Sequence, residues 1–187
     1  MLSGWHVHAR DYARQISQTG RARITAVWDE QPERGRQWAA ELGASFEEDL
    51  PALLKRDDVD AVVINTPTNL HPEVIIAAAN AGKHIFTEKV MALTVKECEA
   101  IKDAVQKANV QFCISFPHRT FPANLFAKKA AEENWLGGIT LLRVRNAHDG
   151  SASHVSVPLA AGKAQEYQFG FQQLYQQGGG GQCGQCH

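Results

Sequence analysis

The chain has 187 residues, 44% of them apolar and 21% charged, with a formal net charge of -1. That length fits one full domain and part of a second, with enough apolar material for a real core. The near-neutral balance gives no electrostatic case for nucleic acid or an anionic membrane, and no apolar run approaches transmembrane length. The N-terminal MLSGWHVHAR carries no apolar h-region and so reads as no signal peptide. Cys98 and Cys113 stand far apart in a predicted helix and a predicted strand, so the expectation is a cytoplasmic, disulfide-free protein.

The first predicted element is a helix over 6–18, with Val7, Tyr12 and Ile16 on one side and Gly20 at its end. The alternation of the remaining chain demands a strand before it, and only Met1-Leu2-Ser3 is there to supply one. Gly4 is the one glycine where a dinucleotide-binding loop would stand. A strand over 23–28 ends at Asp29, and a helix over 31–42 stops at Gly43. Phe46 begins a short extended piece. Asp49 is placed to cap a small helix over 50–55.

The segment 60–90 organises the rest. Ala61-Val62-Val63-Ile64 is an apolar run long enough for a strand and too short for a helix. Turn residues follow over 65–69, Pro72 stands at a natural first helical position, and Val74, Ile75, Ala78 and Ala79 recur at helical spacing. Gly82 stops that helix, and His84-Ile85-Phe86 is a second short strand. Strand, helix and strand in this order imply two parallel strands joined by a right-handed crossover. The loops 65–71 and 87–90 then both leave carboxyl ends of strands, where open α/β sheets bind ligands.

Beyond it, Thr94 and Glu97 fit a capping box for a helix reaching 108, and 111–115 reads as a strand. Pro117 and Pro122 mark an expected domain boundary. A helix over 121–133, a Gly137-Gly138 turn and a strand over 139–145 follow. From about 150 Gln and Gly dominate, and such a tail cannot bury enough surface to offset its ordering entropy.

Several residues could carry chemistry. Asp29, at the end of the second strand, is placed to bind both ribose hydroxyls of an adenosine, and its charge would repel a 2′-phosphate, favouring NAD over NADP. A solvated turn aspartate is the plainer alternative. Arg34 could lie over an adenine face or simply occupy the surface. Gly4 is flanked by Trp5 and His6, one of which takes the place of a second glycine and would push a pyrophosphate away. His6 and His8 lack other ligands nearby in sequence and read as surface histidines, so no metal is assigned. Thr66, Pro67, Asn69 and His71 would line a cofactor crevice, with turn and cap roles in competition. Lys89, beside Glu88, stands where a lysine can hydrogen-bond a substrate hydroxyl and assist its proton loss, although Glu-Lys pairs on surfaces are common. The terminal Cys183-Gly-Gln-Cys186-His187 matches a haem c attachment pattern without an export signal, and for zinc it is one ligand short of a closed site.

Together these stretches resemble the glucose–fructose oxidoreductase, inositol dehydrogenase and MocA (Gfo/Idh/MocA) family. INTPTNLH (64–71) is similar to its TPxxxH segment, AGKHIFTEKV (81–90) to its AGKHVxxEKP, and 118–148 to its passage into the second domain. The resemblance covers about 4–148. It implies hydride transfer between NAD or NADP and a sugar, inositol or related polyol, with Lys89 as catalytic lysine and Asp29 as ribose ligand. Thr66, Pro67, Asn69 and Glu88 would contact or frame the cofactor, and Arg119 falls where the family places an arginine near the active site. Val90 departs from the family's proline, which would relax the loop that aims Lys89. The family's substrate aspartate and histidine have no match here, and Gly178–Gly181 with His187 fits their spacing poorly.

The expected fold is a Rossmann-like doubly wound parallel sheet lacking most of its first strand, at 4–117. The start of an α+β substrate domain follows at 118–149, then a Gln/Gly-rich tail at 150–187. The expected activity is that of an NAD-dependent dehydrogenase acting on a small sugar or polyol, without nucleic-acid or membrane partners. The resemblance implies a homo-oligomer for full-length members. A truncated or frame-shifted gene would account for both ends of the chain. The alternative is a non-catalytic nucleotide-binding or regulatory fragment of the same fold.

Overall fold

The structure, a computed structural model, describes residues 1–143. The chain divides into two units, Met1–Leu136 and Gly137–His187, and the fold below is that of the first. The tail motif Cys183, Cys186 and His187 lies outside the described residues, as do Gly178–Gly181 and the last two positions, 144–145, of the expected strand over 139–145. Its described part, 139–143, forms no strand, and Ile139, Leu141 and Leu142 are exposed.

Strands and helices alternate as expected. They are α1 (Ala9–Thr19), β1 (Ala26–Val27), α2 (Pro32–Leu42), β2 (Ser45–Phe46), α3 (Leu50–Leu54), β3 (Ala61–Ile64), α4 (His71–Asn80), β4 (His84–Thr87), α5 (Val95–Ala108), β5 (Phe112–Ile114) and α6 (Pro122–Glu132). All pairings are parallel, β1 with β2 and β3 with β4 and β5. In the central unit the register runs from Ala61 opposite His84 to Ile64 opposite Thr87.

The missing first strand is the main correction. Met1–Ser3 occupies its place between β1 and β3, and Leu2 bridges both Trp28 and Ile64 in parallel. Backbone bonds run from Leu2 N–H to Val63 O, Asn65 N–H to Leu2 O, Ser3 N–H to Trp28 O and Trp28 N–H to Met1 O, at 2.7 to 3.0 Å. The neighbours' backbone groups are therefore satisfied by these three residues. The sheet order becomes β2-β1-(Met1–Ser3)-β3-β4-β5, whose central segment lies at the topological switch point where doubly wound sheets bind ligands. The Met1 amino group is buried against Ala26 O at 2.7 Å, and desolvation lowers its pKa from 8.0 to about 5.

Strand alternation sorts the core into two layers. Leu2, Ala26, Val62 and Ile64 face Leu53, Leu54, Val74, Ile75, Ala78 and Ile101 from α3, α4 and α5. Met1 and Val27 face Ala9 and Ala13 of α1 and Trp38 and Ala39 of α2, with Val63 packed alongside. A sheet buried on both faces explains why β3 reads as an unbroken apolar run rather than an alternating one.

Helix ends follow local chemistry where it is present. Thr94 and Glu97 form the full capping box of α5. Gly43, at φ 64°, ends α2 and donates to Ala39 O and Ala40 O. Asp49 precedes α3 but makes no side-chain cap bond. The first helix starts at Ala9, not residue 6, because His6–His8 is a turn, and Val7 is 50% exposed rather than on the packed side. Two sequence boundaries also shift: α6 falls within the first unit, beyond the break expected at Pro117, and β1 is shorter than the predicted 23–28.

Candidate functional site

Two buried carboxylates stand at the carboxyl ends of strands, Asp29 after β1 and Glu88 after β4. Asp29 Oδ2 accepts from Gly4 N–H at 2.8 Å and Arg34 Nε at 2.9 Å. Its Oδ1 accepts from Gln31 N–H at 2.8 Å and Arg34 Nη2 at 2.6 Å. Arg34 also pairs with Glu30. The guanidinium therefore neither covers an adenine face nor hangs free; it forks onto the proposed ribose ligand. Gly35, which sequence reasoning passed over, permits this approach. A Cβ there would come 2.7 Å from Asp29 Cβ and would overlap the Phe46 ring. Gly4 plays a similar part, since its Cβ would lie 3.1 Å from the Trp38 ring.

Glu88 collects side chains from three separate elements. His8 Nδ1 lies 2.8 Å from Oε1, and the Tyr12 hydroxyl donates to the same oxygen. Tyr12 and Ser115 hydroxyl oxygens are 2.8 Å apart, tying α1 to the end of β5. Glu88 Oε2 accepts from Lys89 N–H at 3.0 Å and Lys89 Nζ at 3.2 Å. His6 Nδ1 stands 3.8 Å from Oε1. Burial alone would raise the Glu88 carboxyl, but the Tyr12 and His8 hydrogen bonds, with His6 and Lys89, outweigh it and lower its pKa to about 2. Burial raises Tyr12 to about 12, assisted by its bond to Glu88. Burial likewise lowers His6 to about 4.

The remaining expected site residues divide. Thr66 is buried next to Asn65, and Thr66 Oγ1 and both polar side-chain atoms of Asn65 have no hydrogen-bond partner. Pro67 is half-buried in the same loop and Asn69 is exposed. The His71 ring is buried, with Nδ1 2.8 Å from Val90 O and Nε2 3.1 Å from Thr66 O. Both nitrogens face carbonyls of the two edge loops, so the ring ties those loops together and offers nothing free to a cofactor. Burial lowers its pKa, and the neutral ring donates to only one of the two carbonyls. Arg119 is exposed in the turn Pro117–Arg119, outside the Glu88 network. Lys89 is 44% exposed at its side chain, and the Lys89–Val90 peptide is cis.

Tyr12 and Ser115 were missed by the sequence reading. Tyr12 reads there as one more residue of a helix face. A buried glutamate at a strand end demands partners, but nothing local says which residues supply them.

The donor set fits a dinucleotide. Buried Asn65 and Thr66 polar atoms lack protein partners at the switch point, Asp29 stands at the end of the adjoining strand, and Lys89 ends β4 on the same edge. Trp5 and His6 remain in place of a second glycine.

A family model described as an oxidoreductase family with an NAD-binding Rossmann fold matches residues 3–116. The levoglucosan dehydrogenase of Pseudarthrobacter phenanthrenivorans is 41% identical over 104 residues, covering 56% of this chain and 27% of that protein. The NAD(+)-dependent scyllo-inositol 2-dehydrogenase of Bacillus subtilis is 36% identical over 117 residues, covering 62% and 34%. The crystal structure of the WlbA dehydrogenase of Bordetella pertussis, in complex with NADH and UDP-GlcNAcA, superposes with a TM-score of 0.68 at 30% identity, covering 73% of this chain and 40% of that one. Among such curated relatives the chain spans between 27% and 40% of their length.

Proposed function

The chain belongs to the Gfo/Idh/MocA family of NAD-binding oxidoreductases, and we propose that residues 1–136 form the cofactor half of a dehydrogenase acting on a sugar, cyclitol or related polyol. The observation that carries this reading is the shared sheet edge: Asp29 follows β1, the unpartnered Asn65 and Thr66 side chains follow β3 on the other side of Met1–Ser3, and Lys89 follows β4. Bound NAD supplies the hydride acceptor or donor. The chain's own residues supply binding and proton handling.

Asp29 accepts the ribose hydroxyls in this reading, and they take the place of the Arg34 fork on its two oxygens. Its charge disfavours a 2′-phosphate, so NAD is the preferred cofactor. Asn65 and Thr66 gain in the ligand the hydrogen-bond partners that the protein does not give them. Lys89 Nζ exchanges a proton with the reacting hydroxyl, while Glu88 anchors it through both the side chain and the backbone N–H. Arg119 is assigned no contact. A cytoplasmic location and a small polyol substrate belong to the same reading. No helix among the described residues is long and apolar enough to cross a membrane.

The test is an amide NMR titration of the chain with NAD. The reading expects the Gly4, Gln31, Thr66 and Glu88 cross-peaks to shift together and saturably. Shifts confined to other regions, or none in a folded chain, would contradict it.

A further inference from the structure

We propose that His6, His8 and Glu88 form a binding site for a divalent zinc ion, a role distinct from hydride transfer although Glu88 also anchors Lys89 in the proposed function. The turn between Met1–Ser3 and α1 carries both histidines, with their ring centroids 4.8 Å apart. The end of β4 delivers Glu88, 80 residues after His8. One potential ligand atom from each lies within 4.8 Å of the other two.

Hydrogen bonds already engage these atoms, but they do not join His6 to Glu88. His6 Nδ1 accepts the His8 N–H at 3.2 Å, so it carries a lone pair and not a proton. That nitrogen lies 3.8 Å from Glu88 Oε1, which is also an acceptor. Two acceptors thus face one another beyond hydrogen-bond length with no proton between them. A cation between them would bind both lone pairs in place of the present hydrogen bonds. Bond lengths of about 2.0–2.2 Å place neighbouring donor atoms on a tetrahedral zinc roughly 3.4 Å apart. The 3.8 Å separation closes slightly to reach this, and the 2.8 Å contact of His8 opens slightly.

The donor chemistry also fits. Two imidazoles and one carboxylate are a recognised three-ligand zinc set that leaves a fourth position open. Glu88 is 1% exposed and supplies the buried negative charge, while the His8 side chain is 44% exposed and leaves an entry path. Tyr12, which now donates to Glu88 Oε1, has Ser115 as its other partner if the metal claims that oxygen. Lys89 remains on Oε2. The metal also takes the His6 lone pair from the His8 N–H, which is the local cost.

Titration of the full chain with Co(II) tests the site, because nitrogen/oxygen ligation and thiolate ligation differ in their spectra. A parallel chain with Cys183→Ser and Cys186→Ser separates the tail from this site. The expected result is saturable visible d–d absorption in both chains, without a thiolate charge-transfer band in the serine chain, and reversal by Zn(II). His8→Ala and His6→Ala should each weaken binding about 10-fold or more. Lys89→Met, which removes a cation beside Glu88, should tighten it. Circular dichroism confirms that each variant folds; should His8→Ala fail to fold, His8→Asn and His6→Ala carry the test. Binding that vanishes in the serine chain, or that persists unchanged without either histidine, overturns the assignment. So does the absence of any binding. The Co(II) spectrum and NADH fluorescence are separate readouts, so the two readings fail separately.

Discussion

Asp29 and Glu88 are both buried carboxylates at the same edge of one sheet, yet they are held in different ways. Asp29 takes two backbone N–H groups and one forked guanidinium, all from within the first 34 residues. Glu88 takes its side-chain partners from the turn before α1 (His8), from α1 (Tyr12) and from its own neighbour Lys89, across 76 to 80 residues of sequence for Tyr12 and His8. The first arrangement is closed and saturated, with two donors on each oxygen. The second is a meeting point of titratable groups, one oxygen of which also faces the His6 lone pair. A saturated carboxylate fixes local structure, and a ligand must displace something to reach it. A shared one couples distant elements and responds to protons and cations.

The largest effect should come from breaking the saturated member. Asp29→Ala leaves the Gly4 and Gln31 amides without acceptors and leaves the partly buried Arg34 charge with Glu30 as its remaining ion pair. A loss of about 3 kcal/mol in urea unfolding is expected. Gly35→Ala tests the same corner from the packing side. Its Cβ meets Asp29 Cβ at 2.7 Å and the Phe46 ring, so overpacking of about 1–3 kcal/mol should appear as a lower melting temperature.

Glu88→Gln should cost less, about 1–2 kcal/mol, because the amide keeps one acceptor for Tyr12 or His8. Its signature is in the pH dependence. With a folded pKa near 2 against 4.5, Glu88 contributes stability that is present above about 4.5 and lost as pH falls towards 2. The lowered His6 and Met1 groups act in the same direction for a different reason. The unfolded chain takes up their protons first, so stability falls between 6.5 and about 4 for His6 and between 8.0 and about 5 for Met1. Melting temperatures recorded from pH 8 to 3 should therefore decline throughout, and Glu88→Gln should flatten only the lowest part of the curve. A stability maximum near pH 4 would contradict this assignment. The smallest effect is expected from Lys89→Ala. Its side chain is 44% exposed, so losing the Glu88 contact should change unfolding by no more than about 1 kcal/mol.

Much of the scaffold was legible because local chemistry and burial agree there. The β3–α4–β4 unit carries an apolar run, a proline near the helix start and a glycine just beyond its end, and it folds as that pattern reads. Thr94 and Glu97 announce a cap that forms in full. The first strand was legible only from the alternation that demands it, because three residues carry no periodicity of their own. Only the two neighbouring strands, by pairing with Leu2, show that it is there. Val7 looked like part of a helix face because helical spacing was extended back through a turn. At the proposed site, Asp29 and Lys89 stand just beyond the strands that the sequence places before them. The Arg34 fork, the His71 tie between loops and the convergence of His6, His8, Tyr12 and Ser115 on Glu88 were not legible. Those contacts depend on which elements pack together, and that information is spread over the whole core.

The central claim is that Asp29 anchors NAD at this edge despite the Arg34 fork already upon it. The most direct measurement is a fluorescence titration of the full chain with NADH, with NADPH beside it and Asp29→Asn, which nearly preserves shape, as the variant. The account predicts saturable binding that favours NADH over NADPH, and a clear loss of affinity and preference in Asp29→Asn. A folded chain that binds neither nucleotide, or that binds both equally with Asp29 replaced or intact, would contradict it.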